Sequence, residues 1–305
     1  MQLLLAGCNP TSLNTVGRTA AQMGAFVANH KAVAVINNFV PKTEIDYYTI
    51  IQGQQTEPYL PVILLDSFHK LIIQPNIHPV RVALNLQQFG ILTCHFATIR
   101  KVLEMMTERE MKRSNEVNEL MAFKYHYLGW IVKEIIGCRD HFQARNKAAE
   151  NQDKKSDYLE MYVKRVLKVT NGQQDYMEAT IRDCVREFPF RESTIFQQVV
   201  RQLASKDNTL TALDVIKQAI NGQRGFQDVI TFCSTCNDEK PDKKCSKCKE
   251  VQYCDRECQR LHWFAHKKEC GRLLANAGVV TTNDDAKRNI DTAELSEELQ
   301  KMMAG

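Results

Sequence analysis

Residues 233–270 read CSTCNDEKPDKKCSKCKEVQYCDRECQRLHWFAHKKEC and contain seven of the eleven cysteines of this 305-residue chain. The cysteines and one histidine recur as four pairs: two Cys-x2-Cys pairs, one Cys-x3-Cys pair and one His-x3-Cys pair. The eight residues are Cys233, Cys236, Cys245, Cys248, Cys254, Cys258, His266 and Cys270. Four pairs at this spacing are typical of metal ligands, and they suffice for two four-coordinate zinc ions.

The same cysteines could instead form a disulfide-bonded scaffold. A secreted scaffold of that kind needs a signal peptide, which the sequence lacks, and paired thiols in a reducing compartment favour metal. Because eight ligands fill both shells, we predict two structural Zn²⁺ ions with no open coordination position, and hence no catalytic zinc. His262 lies one turn before His266 but completes no pair, so we predict that it is not a ligand.

The string from Cys245 to Cys270 resembles a MYND zinc finger. The similarity rests on Tyr253-Cys254, Cys258-Gln259, Trp263 and His266-Lys267. It implies that the first and third pairs share one zinc, and that the second and fourth pairs share the other. Spacing alone leaves a sequential pairing equally open, because both arrangements give one all-thiolate site and one site with a single imidazole.

A finger of this size has too little core to fold unaided, so metal binding would supply its folding free energy. The MYND resemblance implies a protein-binding module that takes short proline-containing peptides, with Gln259 and Trp263 as peptide-contact residues. The plainer alternatives are that Trp263 packs against the finger's own helix and that Gln259 is merely exposed to solvent.

The charge of the chain argues against nucleic-acid binding. The formal net charge of +4 treats cysteine as neutral. Seven zinc-bound thiolates and two Zn²⁺ ions would bring it to about +1, so the lysines around the finger mainly neutralise thiolate charge. A nucleic-acid partner would require a surplus basic face, and none is expected.

The first 45 residues resemble a partial ankyrin repeat. Residues 3–8 would end one repeat, Gly17-Arg18-Thr19 would open the next, and its two helices would cover 20–25 and 32–36. The usual Thr-Pro-Leu-His is replaced here by residues 19–22, which read TAAQ. One and a half repeats cannot stack a stable core, which suggests a fragment or a truncated form of a longer protein.

Residues 55–228 form a helical middle region without a motif that carries a mechanism. Apolar residues recur at helical spacing in eight stretches, and the isolated histidines among them share no ligand spacing. The stretches are 60–71, 79–89, 98–110, 116–138, 158–169, 175–188, 192–204 and 211–220. The predicted fold class is therefore mostly α: a partial ankyrin repeat, a helical region and a small two-zinc MYND finger at 229–272.

Residues 273–305 are predicted to form a flexible tail. Within it, Asp291–Met303 is either a short helix that forms against a partner or a frayed end. The most apolar run in the chain, residues 59–65, is much shorter than a membrane span, so no membrane insertion is expected.

The order of these parts resembles the ankyrin repeat and MYND domain-containing protein 2 family. That resemblance implies a non-enzymatic, protein-binding adaptor in the cytoplasm or the cilium, which helps deliver membrane cyclases and other signalling proteins to cilia. Its implied partners are membrane cyclases or ciliary transport proteins. A SET-domain lysine methyltransferase would need an Asn-His-Ser-Cys-type motif and further paired cysteines, which are missing. A nuclear transcriptional corepressor that binds proline-containing peptides remains the alternative.

Overall fold

The computed structural model describes residues 1–113, 117–148, 157–170, 174–205, 209–222 and 230–287, with backbone alone for 146–148 and 275–287. The helices are α1 (Gln2–Leu5), α2 (Ala20–Phe26), α3 (His30–Asn37), α4 (Lys42–Thr49), α5 (Leu65–Ile72), α6 (Pro79–Gln88), α7 (Phe96–Met111), α8 (Glu119–Ala148), α9 (Tyr158–Leu167), α10 (Asp175–Arg186), α11 (Thr194–Ala204), α12 (Ala212–Asn221) and α13 (Arg256–Lys287). Two short strands, β1 (Lys243–Lys244) and β2 (Gln252–Tyr253), pair antiparallel. The prediction of a mostly α fold that ends in a zinc-binding finger is confirmed.

The helices of the middle region lie where the apolar periodicity predicts them, and side-chain caps set several of their starts. Thr211 and Asp214 form a capping box at the start of α12, and the Ser193 hydroxyl accepts a hydrogen bond from the first turn of α11. The predicted helix over 60–71 begins later, at Leu65. A 3₁₀ turn over Val62–Leu64 precedes it, because Pro61 holds the chain in an extended conformation there.

The N-terminal helices occupy the predicted positions but bury little apolar surface. A capping box between Thr19 and Gln22 starts α2, and Gly24 lets α2 approach α3 so closely that a Cβ atom would lie 3.1 Å from Val33. Helix α3 packs against α12, where Asn38 donates a 2.7 Å hydrogen bond to Asn221. These helices are therefore supported by the middle region, and their assignment to an ankyrin repeat stays a prediction.

One hydrophobic core runs through the middle region and into the finger. Ile45 and Tyr48 of α4 are buried in it, although α4 crosses the predicted end of the N-terminal unit at residue 45. The most extensive helix packing is between α7 and α8. At the other end, the core includes Tyr253, Leu261 and the buried cysteines of the finger.

The predicted flexible tail begins at residue 273, yet α13 continues without a break from Arg256 to Lys287, so the first part of that segment is helical. The segment 271–287 contains no proline, and its alanine and leucine residues favour the continuation of a helix that the finger has already started. The predicted helix over Asp291–Met303 lies outside the described residues. No helix in the described part is long and apolar enough to cross a membrane.

Candidate metal centres and binding surface

The two Cys-x2-Cys pairs sit on turns of the same geometry. In each turn the residue after the second cysteine has a positive φ, 59° at Asn237 and 58° at Lys249. Its backbone N–H donates a 2.9 Å hydrogen bond to the carbonyl of the first cysteine, Cys233 or Cys245. This closed turn points both thiols of a pair to the same side, which lets a pair bind one metal ion.

The β1–β2 hairpin brings the separate pairs together. Lys243 pairs with Tyr253 and Lys244 with Gln252, so Cys245 and Cys254 each directly follow a strand of the hairpin. The Cys245 N–H extends the hairpin with a 2.8 Å bond to the Val251 carbonyl. Residues distant in sequence thereby reach the same small volume.

Helix α13 supplies the remaining ligands. Its first turn is capped by Asp255, whose carboxylate accepts a 2.7 Å hydrogen bond from the Cys258 N–H. The cap leaves Cys254 outside the helix, so Cys254 and Cys258 do not share a helical face although they are four residues apart. His266 and Cys270 lie one turn apart on α13.

The eight residues converge into two groups of four. Cys233, Cys236, Cys254 and Cys258 form one group, and Cys245, Cys248, His266 and Cys270 form the other; within each, the potential ligand atoms lie within 4.8 Å of one another. The grouping is the interleaved one that the MYND resemblance implies. Seven of the eight side chains are buried, and Cys254 is half-buried.

The distances within each group fit zinc. The Sγ atoms of Cys236 and Cys254 are 3.5 Å apart, those of Cys236 and Cys258 3.8 Å, and those of Cys245 and Cys270 3.9 Å. A tetrahedron of Zn–S bonds about 2.3 Å long has edges of about 3.8 Å. The donor sets, four thiols in one group and three thiols with an imidazole in the other, are those of structural zinc sites.

In the second group the imidazole would bind the metal through Nε2, which lies 3.5 Å from Cys248 Sγ. His262 is not part of either group. Its Nδ1 lies 3.1 Å from the Tyr253 hydroxyl, and its ring stacks on that of His266 with a 6.0 Å centroid separation. His262 therefore packs against the ligand ring and, as predicted, belongs to neither group of ligands.

The finger is attached to the helical region through its first Cys-x2-Cys turn. Asn76, between α5 and α6, donates hydrogen bonds of 2.9 Å to the Cys236 carbonyl and 2.7 Å to the Asp238 carboxylate. Arg81 of α6 forms a 3.2 Å ion pair with the same carboxylate. On the other side of the finger, Arg260 of α13 contacts Glu160 of α9 at 2.8 Å.

Sequence reasoning missed these attachment residues, and the only local signal was the turn-forming run 75–79, which reads PNIHP. His78 in that run is buried, and its Nδ1 accepts a 3.2 Å hydrogen bond from the Val80 N–H at the start of α6. Burial lowers the pKa of His78 to about 3, so the ring is neutral and acts as a helix cap.

The two predicted peptide-contact residues lie one turn apart on α13, and both are half-buried. The Trp263 ring lies against the second group: its centroid is 5.9 Å from that of His266, and Lys247 Nζ is 5.9 Å from the Trp263 centroid. Trp263 therefore packs partly against its own finger, as the plainer alternative expected, while part of its surface stays open. The adjacent Phe264 is 41% exposed.

Two closed metal centres built on two cysteine turns, a hairpin and one helix define a structural two-zinc finger. The sequence model of the MYND finger family matches residues 233–270, so the chain contains a MYND finger. MYND fingers mediate protein–protein interaction, and the clusters fit two structural zinc ions per chain.

Similarity to one relative extends over nearly the whole chain. The chain is 27% identical over 290 residues to dauer abnormal formation protein 25 of Caenorhabditis elegans. The aligned region covers 93% of this chain and 72% of that protein. No solved structure matches the chain significantly.

Other relatives match over little more than the length of a finger. SET domain and MYND-type zinc finger protein 6 of Schizosaccharomyces pombe is 44% identical over 45 residues, which is 14% of this chain and 9% of that protein. The zinc finger MYND domain-containing protein 10 homolog of Drosophila melanogaster is 45% identical over 49 residues, 16% of this chain and 11% of that protein.

Proposed function

We propose that this chain is a non-enzymatic adaptor that binds partner proteins through its MYND finger, with Trp263 and Gln259 as the contact residues. The observation that carries the proposal is the placement of Trp263 beside the second metal group, half-buried and one turn after Gln259. An aromatic side chain held rigidly at a partly open surface is the kind of residue that dominates binding energy at protein interfaces.

The metal centres support a binding role over a catalytic one. Each group offers four protein ligands, so a bound zinc ion keeps no position for water or substrate. The similarity to a SET-domain protein spans only 45 residues of this chain, which gives no support for a methyltransferase domain here.

The attachment of the finger to the helical region adds to this proposal. Asn76, Arg81 and Glu160 hold the finger at two places, so its contact residues are presented in a defined orientation. A surface that is already ordered loses less entropy when a partner binds than a freely moving module does.

The direct test compares Trp263→Ala with the wild-type, zinc-loaded chain in binding to a library of proline-containing peptides. We expect affinity to fall by about tenfold or more, as is usual when a central aromatic residue is truncated. Both zinc ions should be retained, because Trp263 supplies no ligand. Phe264→Ala is the matched control, an exposed aromatic at the next position, and should change affinity little. Unchanged affinity in Trp263→Ala would refute the assignment of the contact surface.

The cellular part of the proposal is delivery of membrane cyclases and other signalling proteins to cilia. This part of the proposal is supported by the order of the N-terminal unit, the helical region and the finger, which resembles that of the ankyrin repeat and MYND domain-containing protein 2 family. Quantitative affinity mass spectrometry from ciliated cells should recover membrane cyclases or ciliary transport proteins with the wild type, and lose them with Trp263→Ala. Recovery of chromatin corepressor subunits, with a nuclear location of the chain, would favour the corepressor alternative.

A further inference from the structure

Two lysines lie beside the contact residue Trp263. Lys247 belongs to the second Cys-x2-Cys turn, and its side chain extends over Trp263 with Nζ 5.9 Å from the ring centroid. Lys267 lies one turn after Trp263 on α13, and side chains four residues apart on a helix are neighbours on its surface. Both lysines are exposed. Two ammonium groups therefore border the part of Trp263 that stays open to solvent.

The helix places no acidic residue next to Trp263. The residues three and four positions before and after it are Gln259, Arg260, His266 and Lys267. The charge of Arg260 is already compensated, since its guanidinium contacts Glu257 and Glu160, each at 2.8 Å. Lys247 and Lys267, by contrast, form no ion pair within the described part of the chain. Their charges are available to a partner.

The charge of the adjacent metal centre does not cancel these lysines. Three thiolates and one Zn²⁺ ion would give the second group a net charge of −1, because the imidazole binds metal in its neutral form. All four ligands of this group are buried, whereas both lysines are exposed. Two acidic residues of the finger are paired where it is attached, Asp238 with Arg81 and Glu257 with Arg260. The surface beside Trp263 thus keeps uncompensated positive charge.

We propose that the peptide bound at Trp263 carries an aspartate or glutamate side chain beside the residue that covers the indole, and that Lys247 and Lys267 pair with this carboxylate. The inference rests on the proposed function of the finger and specifies its ligand as a proline-containing segment with an acidic flank. A neutral flank leaves the two lysines unpaired, and a basic flank is repelled by them. The lysines therefore select among peptides of similar apolar content.

The probe is a set of short synthetic peptides with a central proline and otherwise uncharged residues, each made with Asp, Asn or Lys at one flanking position. Acetylated and amidated ends remove the terminal charges, so the side chain is the only carboxylate. We expect the zinc-loaded wild-type chain to bind the Asp version about fivefold more tightly than the Asn version at low salt, and the Lys version most weakly. Added salt should reduce this preference, because exposed charges are screened.

The double variant Lys247→Gln with Lys267→Gln removes both charges and leaves Trp263, Gln259 and every metal ligand in place. We expect it to bind the Asp and Asn versions equally, with an affinity for the Asn version within about twofold of that of the wild type. Lys268→Gln is the matched control. It makes the same charge change at an exposed position that lies about 140° around α13 from Trp263, so the preference for Asp should persist. Zinc analysis of each variant verifies that both ions are retained.

Equal binding of the Asp and Asn versions to the wild type would overturn the acidic-flank proposal, and so would a preference for Asp that persists in the double variant. Weaker binding of the Asn version to the double variant would show that the lysines shape the surface and do not act through charge. In each of these cases Trp263→Ala still tests the finger proposal, because it should weaken the Asp and Asn versions alike. Absence of binding by every peptide would overturn both proposals.

Discussion

At the scale of single residues, Lys124 is the most unusual side chain in the helical region. It is fully buried, and its Nζ donates hydrogen bonds to the carbonyls of Ile72, the last residue of α5, and Gln74, two residues further on. The carbonyls at a helix C-terminus attract a positive charge, yet they compensate only part of the cost of removing the ammonium from water. Burial accordingly lowers the pKa of Lys124 from its ordinary 10.5 to about 7.

This lowered pKa predicts a pH-dependent stability. Below about pH 7 the lysine is protonated in both the folded and the unfolded chain, and the cost of burying the charge is fully present. Between about pH 7 and the ordinary lysine pKa, the unfolded chain binds a proton that the folded chain does not, so the stability contributed at this site rises with pH. The slope approaches about 1.4 kcal/mol per pH unit.

The measurement is denaturant unfolding of zinc-loaded wild type and Lys124→Met at pH 7 and pH 9. Subtracting the unfolding free energy of the variant from that of the wild type removes the pH dependence that all other groups contribute. We expect the unfolding free energy of the wild type to rise by about 2 kcal/mol relative to that of the variant from pH 7 to pH 9. A difference in unfolding free energy that stays constant with pH would contradict the prediction.

At the scale of elements, the connection between α5 and α6 joins several parts of the molecule. Tyr127 of α8 donates a hydrogen bond to the Ile77 carbonyl, and Asn221 at the end of α12 donates one to the Pro75 carbonyl. Asn76 lies between these contacts and binds the first cysteine turn of the finger. A segment without regular structure is thereby held from three sides and fixes the position of the finger.

Asn76→Ala should loosen the finger without removing a metal ligand. It leaves the Cys236 carbonyl and the Asp238 carboxylate without this donor, which should cost about 1–3 kcal/mol of stability. We expect the two zinc ions to remain bound, with faster zinc transfer to a chromogenic chelator. Gln87→Ala on α6 is the control, because the Gln87 amide forms a long, exposed hydrogen bond of 3.4 Å to Asp157 and makes no contact with the finger ligands. Equal zinc transfer from wild type and Asn76→Ala would show that the attachment does not stabilise the finger.

At the scale of the whole molecule, one core connects the helical region to a finger that depends on metal for its folding. The helical region buries many large apolar side chains of its own, whereas the buried side chains of the finger are mainly its metal ligands. The two parts should therefore differ in how they respond to the loss of zinc.

Cys236→Ser should reduce the zinc content from two ions per chain to one and unfold the finger locally. Most of the helical circular dichroism should persist, while the melting temperature falls because the contacts of Asn76 and Arg81 with the finger are lost. Cys94→Ser, at an exposed cysteine outside both groups, should keep both zinc ions and the wild-type melting temperature. Collapse of the entire helical signal in Cys236→Ser would show that the finger and the helical region fold as one unit.

The parts of this structure that could be predicted from sequence are those governed by local geometry. Apolar spacing located the middle helices because a helix repeats its faces within a few residues. Paired spacing located the zinc ligands because the two members of each pair are only three or four residues apart. The continuation of α13 past Cys270 was missed because small and polar residues are compatible with either helix or coil. Extending a helix that the finger has already started costs less than starting a new one, so the segment stays helical.

The sequence by itself determined which residues bind zinc, that the fold is mostly helical and which segments form the helices of the middle region. Only the tertiary structure decided which ligand pairs meet. The β1–β2 hairpin and α13 bring Cys254 to Cys236 and His266 to Cys248, and such contacts between distant residues leave no periodic trace in the sequence. The same holds for the attachment through Asn76 and the burial of Lys124, since each depends on which separate helices come together.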